Sequence, residues 1–279
     1  MILDGKKLSE KLYASLEQNI KKLKNSPTLA VVLVGNDYAS GVYVKNKLKA
    51  CEKIGIISKN YKLDETISEN ELLKLIDELN NDDCIDAILV QLPLPNHIDK
   101  NKIINAINPA KDVDGFTPYN LGRVLANLKP YFYACTPLGI DILLNYYEID
   151  VMGKNVCIIN DSVIVGRPLA AMMINKGASV SICHKYTKNL KDFTLNADIL
   201  ISATGVCHLI NDDFIKEGAI IIDVGICKKI DGKAVAGDYL QTSNKASMIT
   251  PVPGGVGPMT IYALMQNTYE ARLKKERNE

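Results

Sequence analysis

The sequence predicts an α/β protein made of two α/β halves, and three observations predict it. In the first half, short apolar runs alternate with amphipathic helical stretches, as at residues 29–34 and 84–91. That alternation argues for a parallel sheet covered by helices. In the second half, residues 155–183 read as strand, turn, helix and strand, a βαβ unit. The length, 279 residues, suits two domains or one large one.

Residues 4–25 read as a helix, because Leu8, Leu12, Leu16, Ile20 and Leu23 form one apolar stripe. The strand at 29–34 is bounded by Pro27 and Gly35. A helix follows to about Gly55, with Ser40 placed as its N-cap. Tyr43 and Lys47 are four apart and share a face, one turn beyond Ser40. A hydroxyl, an aromatic ring and an amine are thereby presented just past a strand's carboxyl end, where ligands bind in open α/β sheets. Taken singly, Tyr43 reads as a half-buried helix residue and Lys47 as one of many solvated lysines; the rest of the chain favours the site. Residues 56–63 form a second strand. A helix spans 68–79, opened by a capping box of Ser68 and Glu71.

The strand at 84–91 stops at Leu92-Pro93-Leu94-Pro95, since prolines cannot continue a central ladder. Gln91 is therefore expected at its carboxyl edge, on the same rim as Tyr43 and Lys47, to cap backbone groups or to orient a polar ligand. After a short helix at 100–107, Asp112 and Asp114 flank Val113 in a loop. They read either as an Asx-turn with a helix cap or as a carboxylate aimed into a cleft. Residues 118–147 read as mainly helical, restarting at Thr136 with Pro137 at N1.

In the βαβ unit the strand 155–159 leads through a turn at 160–168 to a helix at 169–176 and a strand at 179–183. The G-x-G-x-x-G fingerprint is absent, and only Gly166 stands near the helix N-terminus. It still permits close backbone approach, and a helix N-terminus receives a pyrophosphate. His184-Lys185 occupy the place where an acidic residue would bind a ribose 2′-hydroxyl; a cation there favours a 2′-phosphate, hence NADP. Asp161 pulls the other way and leaves NAD open. Strands at 198–203 and 219–224 end near Gly205 and Gly225, and Asp231-Gly232 signals a hairpin. Residues 251–258 hold three glycines and three prolines, which makes a shaped loop rather than a linker. A terminal helix at 259–275 ends in a basic tail.

A formal net charge of +1 implies no general attraction to nucleic acid or membrane. No apolar run approaches the roughly 18–20 residues of a membrane span. The N-terminus lacks the apolar region of a secretory signal, so a cytoplasmic location is expected. The seven cysteines are dispersed with no C-x-x-C pair, and read as buried thiols of a reducing cytosol rather than disulfides or a zinc site. Three scattered histidines suggest no metal centre.

Four blocks carry a resemblance over nearly the whole chain: Val34-Gly35 through Ser40, Tyr43 and Lys47; Val90-Gln91-Leu92-Pro93-Leu94-Pro95; Lys111-Asp112-Val113-Asp114-Gly115; and residues 250–260, the most specific. In order and spacing they resemble the bifunctional methylenetetrahydrofolate dehydrogenase/cyclohydrolase family, often called FolD. The resemblance implies two α/β domains flanking a cleft: an N-terminal folate-binding catalytic domain at 1–118, onto which residues 259–279 pack back, and a C-terminal Rossmann-like dinucleotide-binding domain at 119–279. It implies NADP-dependent oxidation of 5,10-methylenetetrahydrofolate to the methenyl cation, then hydrolysis to 10-formyltetrahydrofolate, in a homodimer that serves purine biosynthesis. Lys47 would be the main catalytic residue, Tyr43 would lie against the folate rings, Gln91 would assist Lys47, and Asp114 would hold the pterin. Ser40, Pro253, Gly254 and Gly257 would line the folate site. Asn160, Asp161, Ser162, Gly166, Lys185 and Ile226 would meet the cofactor.

The chemistry asks for these types. Hydride loss is largely a matter of positioning. Hydrolysis needs proton transfer, which a partly desolvated lysine can provide. Many members of the family carry Gly-Arg-Ser or Gly-Ala-Ser where this chain has Asn160-Asp161-Ser162, which bears on the nucleotide preference. The rival readings are a monofunctional dehydrogenase on the same scaffold, a non-catalytic folate- or nucleotide-binding regulator, and a shikimate-type or amino-acid dehydrogenase. Intact Lys47 and Gln91 weigh against the first. The Tyr43, Lys47, Gln91 and Asp114 set weighs against the second, and the loop at 250–260 against the third.

Overall fold

The structure is a computed structural model that describes residues 1–228 and 235–277. The chain divides into two units. One, here the three-stranded unit, comprises Lys11–Arg123, Lys129–Cys135 and Ile261–Glu279; the other, the five-stranded unit, comprises Met1–Glu10, Val124–Leu128 and Thr136–Thr260.

Helix α1 (Gly5–Ile20) buries Leu8, Leu16 and Ile20. It ends short of residue 25 because Lys22 and Leu23 donate to Asn19 and Ile20, three residues back, which closes the last turn. Strand β1 (Thr28–Val34) is buried along its whole length, as a central parallel strand must be. Helix α2 (Tyr38–Ile54) starts earlier than expected. Its N-cap is Asp37, not Ser40: the Asp37 carboxylate accepts the Ser40 N–H at 2.7 Å. A charged acceptor caps more strongly than a hydroxyl, and hydrogen bonds from the backbone and the side chain of Ser40 hold Asp37 below the usual carboxylate range. Gly55 ends α2 at φ 83°, a left-handed value that glycine adopts freely.

Strand β2 (Ile57–Leu63) pairs in parallel with β1, from Thr28↔Ile57 to Val34↔Leu63. Helix α3 (Glu69–Asn81) opens on the expected Ser68/Glu71 capping box. Strand β3 (Ala87–Val90) lies on the other side of β1, so the order is β2-β1-β3. It is shorter than the expected 84–91 because the N–H groups of Cys84 and Ile85 are spent on Asp82 in a turn. Helix α4 (Lys100–Ala106) packs Ile103 into a core with Val32, Ile76, Leu79 and Ile88. Helix α5 (Pro118–Leu125) has Pro118 at its first position.

In the second half, α6 (Cys135–Tyr146) starts at Cys135, so Pro137 is third rather than N1. A proline is tolerated there because the first turn's N–H groups have no partner within the helix. Next come β4 (Asn155–Ile159), α7 (Gly166–Asn175), β5 (Ser179–Cys183), α8 (Leu190–Thr194), β6 (Ile199–Ser202) and β7 (Ile210–Asn211). They are followed by β8 (Ile220–Asp223), β9 (Cys227–Lys228), β10 (Val235–Ala236), β11 (Tyr239–Leu240), β12 (Met248–Ile249) and α9 (Val256–Arg277). The five-stranded parallel sheet runs β12-β8-β6-β4-β5, so the order reverses at β4, the switch point of a dinucleotide-binding fold. Helix α7 begins three residues before the expected 169, since Leu169 N–H already bonds back to Val165. Helix α9 likewise starts at Val256 instead of 259. Strands β9 and β10 are antiparallel, but the Asp231-Gly232 turn lies outside the described residues.

The cysteine expectation needs correction. Cys207 and Cys227 form a disulfide, with Cα atoms 5.6 Å apart, and Cys84 is exposed. Neighbouring strands β6 and β8 bring the two loops together, a proximity that dispersed spacing does not display. Among the described residues, no helix is long and apolar enough to cross a membrane, and no group of three or more His, Cys, Asp or Glu could hold a metal ion.

Candidate active site

In the three-stranded unit, Tyr43, Lys47, Gln91 and Asp114 gather at the carboxyl end of the sheet. Helix α2 leaves that edge after β1 and carries Tyr43 and Lys47 on one face. Gln91 extends β3 by one residue, its N–H bonding Val32 O at 2.8 Å. Residues 111–113 run beside β3: Ile88 N–H bonds Lys111 O at 2.8 Å and Ile88 pairs with Asp112. Past Asp112 the chain turns, with Gly115 N–H bonding Asp112 O at 3.0 Å, and Asp114 lies in that turn.

Lys47 Nζ donates to Gln91 Oε1 at 3.0 Å. Gln91 Nε2 donates to Leu92 O at 2.6 Å, which turns the amide oxygen toward the ammonium. Lys47 is half-buried, and Tyr43 is 41% exposed with its phenol pushed up by burial. Asp114 is pushed up to about 6, first by burial. The Lys47 charge and a Cys135 hydrogen bond pull it down, while Asp112 pushes it up. Ser40 is buried at the third position of α2, with its N–H on Asp37, so it shapes the turn that leads to Tyr43.

The two aspartates of the loop divide the two readings between them. Asp112 is buried and structural: its carboxylate accepts from Gly115 N, Thr117 N and Asn120 Nδ2 at 3.1, 2.8 and 3.0 Å. Among the described residues Asp114 has no such set of backbone donors, and the Lys47 charge acts on it. Its loop is braced from behind by residues that sequence reasoning missed. Asn267 Nδ2 donates to Val113 O at 2.8 Å, and Cys135 Sγ donates to the same oxygen at 3.1 Å. No local pattern marks Asn267, which lies 154 residues away on α9.

In the five-stranded unit, Asn160 organises the turn after β4. Its Oδ1 accepts Ser162 N, Ser162 Oγ and Gly166 N at 2.9, 2.5 and 3.1 Å, and its Nδ2 donates to Ala203 O at 2.7 Å, joining the ends of β4 and β6. A Cβ at Gly166 would lie 1.8 Å from Asn160 O, so the backbone approach requires glycine. Val165, the N-cap residue of α7, makes no side-chain cap bond; the first two helical N–H groups, of Gly166 and Arg167, go to Asn160 Oδ1 and Ser162 O at 3.1 and 3.0 Å. Asp161 is exposed, and Arg167 Nε donates to its carbonyl at 2.8 Å, placing a guanidinium at the turn. Arg167 was also missed, although a cation in the first turn after a strand is a legible signal. Lys185 is exposed past β5, with Nζ 4.9 Å from the Tyr186 ring centroid. Ile226 is 48% exposed just beyond β8.

The Pro/Gly loop borders a cavity of about 420 Å³ whose lining includes Lys6, Asp223, Ile226, Pro253, Gly254 and Gly257. Lys6 N–H holds the loop through Gly254 O at 2.8 Å, and a Cβ at Gly257 would meet open space. The structure thus gathers the four catalytic candidates in one unit. Within the other it places Ile226, Pro253, Gly254 and Gly257 around one cavity, with Asn160, Asp161, Ser162 and Gly166 in the β4 turn.

Residues 3–114 match the family described as tetrahydrofolate dehydrogenase/cyclohydrolase, catalytic domain, and residues 134–276 match its NAD(P)-binding domain. The bifunctional protein FolD of Aquifex aeolicus is 54% identical over 280 residues, 99% of this chain and 96% of the relative. The crystal structure of the bifunctional enzyme FolD from Campylobacter jejuni is 50% identical, covers 99% of both chains and superposes with a TM-score of 0.96. The Trypanosoma brucei methylenetetrahydrofolate dehydrogenase-cyclohydrolase, solved with NADP and an inhibitor, is 30% identical with a TM-score of 0.93, covering 99% of this chain and 98% of that one.

Proposed function

Because the chain belongs to the tetrahydrofolate dehydrogenase/cyclohydrolase family, we propose that Lys47 carries the proton in its hydrolytic step and that Asp114 holds the folate. The protein is a bifunctional one-carbon folate enzyme, a methylenetetrahydrofolate dehydrogenase and methenyltetrahydrofolate cyclohydrolase with an NAD(P)-binding domain. The observation that carries the residue assignment is the 3.0 Å bond from Lys47 Nζ to Gln91 Oε1, beside an Asp114 raised mainly by burial.

Asp114 as a carboxylate accepts hydrogen bonds from the pterin's amino and ring N–H groups. Tyr43 lies against the rings, above a helix turn shaped by Ser40. Bound NADP provides the hydride acceptor for the first step. The protein's part in that step is to hold the methylene carbon in place, because positioning is the main demand. In the second step Lys47 takes a proton from the water that adds to the methenyl carbon and returns one to the departing ring nitrogen. Gln91 orients the amine without adding charge.

The turn after β4 suits a pyrophosphate: Gly166 leaves no room for a side chain, and it stands at the N-terminus of α7, whose dipole favours an anion. Asn160, Ser162 and Gly166 form that cradle, Ile226 borders the bound nucleotide, and Lys185 meets the 2′-phosphate. Arg167 offsets Asp161, which supports NADP over NAD. The family matches at 3–114 and 134–276 support a folate-binding domain at 1–118 and a nucleotide-binding domain at 119–279, and the grouping of residues 261–277 in one unit with 11–123 supports the packing of the terminal helix on the folate-binding domain. A cytoplasmic homodimer supplying purine biosynthesis belongs to the same proposal and rests on family membership.

The test is a spectrophotometric assay of the purified protein with 5,10-methylenetetrahydrofolate and either NADP or NAD, then with the methenyl substrate alone. Nucleotide reduction together with cofactor-independent loss of methenyl absorbance is expected. The Lys185→Ala variant is expected to weaken NADP more than NAD; equal effects would remove Lys185 from the 2′-phosphate.

A further inference from the structure

The Cys207–Cys227 pair takes no part in either reaction. Cys207 stands in the loop that follows β6, and Cys227 opens β9 a few residues after β8 ends. Strands β6 and β8 are parallel neighbours, paired from Ile199↔Ile220 to Ser202↔Asp223. Both loops therefore leave the carboxyl edge of the sheet, the edge at which dinucleotides bind.

Below the cysteines the two strand ends are tied by carboxylates. Asp238 Oδ2 accepts the Ser202 hydroxyl at 2.7 Å and Thr204 N–H at 2.6 Å. Asp223 Oδ1 accepts Gly225 N–H at 2.9 Å and Asp238 N–H at 3.1 Å. Beyond Thr204 and Gly225, the sulfur bridge joins the two loop tips. Val206 and Ile226, each immediately before one of the cysteines, are 53% and 48% exposed. Both cysteines are themselves partly exposed, so a small thiol can reach the bond.

We propose that Cys207 and Cys227 form a reversible thiol–disulfide couple whose oxidised form strengthens nucleotide binding by fixing these two loops. The proposal rests on the reading that Ile226 borders the nucleotide. The redox partner is a low-molecular-weight disulfide. One cysteine thiolate attacks it, forming a mixed disulfide and expelling a small thiolate; the other cysteine thiolate attacks the protein sulfur of that bond and expels the second. Two electrons pass from the cysteine sulfurs to the small disulfide, and its two thiolates take up the protons the cysteines lose. Reduction is the reverse exchange.

Full-length protein equilibrated in glutathione buffers from reduced to oxidised tests this. Thiols are counted after denaturation, NADP affinity is titrated by calorimetry, and hydrolysis of the methenyl substrate is followed without nucleotide. Seven thiols in the reduced protein should become five in the oxidised protein. The Kd for NADP should fall about three- to tenfold on oxidation, as expected when a binding-competent loop conformation becomes dominant. Hydrolysis should not change. The Cys207→Ser and Cys227→Ser variants should keep the reduced-state Kd in every buffer. Equal NADP affinity at both extremes, or seven thiols in the most oxidising buffer, overturns the couple. The Ile226→Asp variant separates the two readings. If it weakens NADP while the parent protein is insensitive to redox state, only the couple falls; if it leaves NADP affinity unchanged, Ile226 is not at the nucleotide.

Discussion

Lys47 has its ammonium set by Gln91, whose own amide is anchored on Leu92 O. A methionine at position 47 keeps most of the side-chain volume and removes the proton carrier. Lys47→Met is therefore expected to slow methenyl hydrolysis by roughly 10²–10⁴-fold, measured as absorbance loss without nucleotide. Near-normal hydrolysis would reject the role. Asp114 accepts hydrogen bonds through both oxygens only when ionised, and burial has moved its titration to about 6. As pH falls through that value the carboxylate gains a proton, and one of its two acceptor oxygens becomes a donor that opposes the pterin's N–H groups. The KM for folate should thus rise below about pH 6 in the parent protein. In Asp114→Asn it should be higher throughout and lack this acid limb; a limb that persists would assign the titration to another group. Lys47 and Gln91 were legible because strand ends and helix spacing are local, and Asp114 was singled out from Asp112 by the family resemblance. The brace behind Asp114, made by Cys135 and Asn267, was not legible, since its parts meet only after the chain has folded.

At the level of elements, the sequence signals located most helices and strands and misjudged several ends. Helix α2 began at Tyr38 because a carboxylate at Asp37 outcompeted the hydroxyl at Ser40. The Ser68/Glu71 box marked the start of α3 correctly because both halves of the motif lie within four residues. Helix α7 depends on one glycine. A methyl group at position 166 would stand 1.8 Å from Asn160 O, which is backbone and cannot swing away. Gly166→Ala is expected to cost about 1–3 kcal/mol of stability, the usual scale for a side chain forced into occupied space. It should raise the KM for nucleotide more than the KM for methenyl substrate. Thermal unfolding together with the two separate assays checks this; an unchanged nucleotide KM would show that the turn after β4 does not cradle the pyrophosphate.

For the molecule as a whole, two carboxylates are held neutral to unusually high pH. Asp114 and Asp223 are each raised to about 6, in both cases first by burial. Their unfolded values lie near 3.8. Between those limits the folded state binds more protons than the unfolded state, so this contribution to stability is complete below about pH 4 and is lost as pH rises through about 6. A shift of about two units corresponds to about 3 kcal/mol at most for each group. Asp114→Asn removes the charge that burial penalises. It is expected to be more stable than the parent protein at pH 7.5, with the advantage shrinking toward zero near pH 4. Denaturant titrations at the two pH values test the sign, and a variant less stable at pH 7.5 would mean that Lys47 and Cys135 more than offset the burial. A site residue that costs stability is consistent with selection for binding rather than for packing.

What the sequence by itself determined was the α/β class, the order of the main strands and helices, the rim that carries Tyr43, Lys47, Gln91 and Asp114, and the family. Those follow from hydrophobic periodicity, proline and glycine punctuation and motifs confined to a few neighbouring residues, all of which act over short distances along the chain. The tertiary structure alone decided that the Asp112 carboxylate is spent on Gly115, Thr117 and Asn120, that Asn267 reaches back 154 residues to brace the loop, and that Cys207 meets Cys227. Such pairings are set by the register of adjacent strands and by which buried polar groups find partners, and neither is written in the spacing of the residues involved.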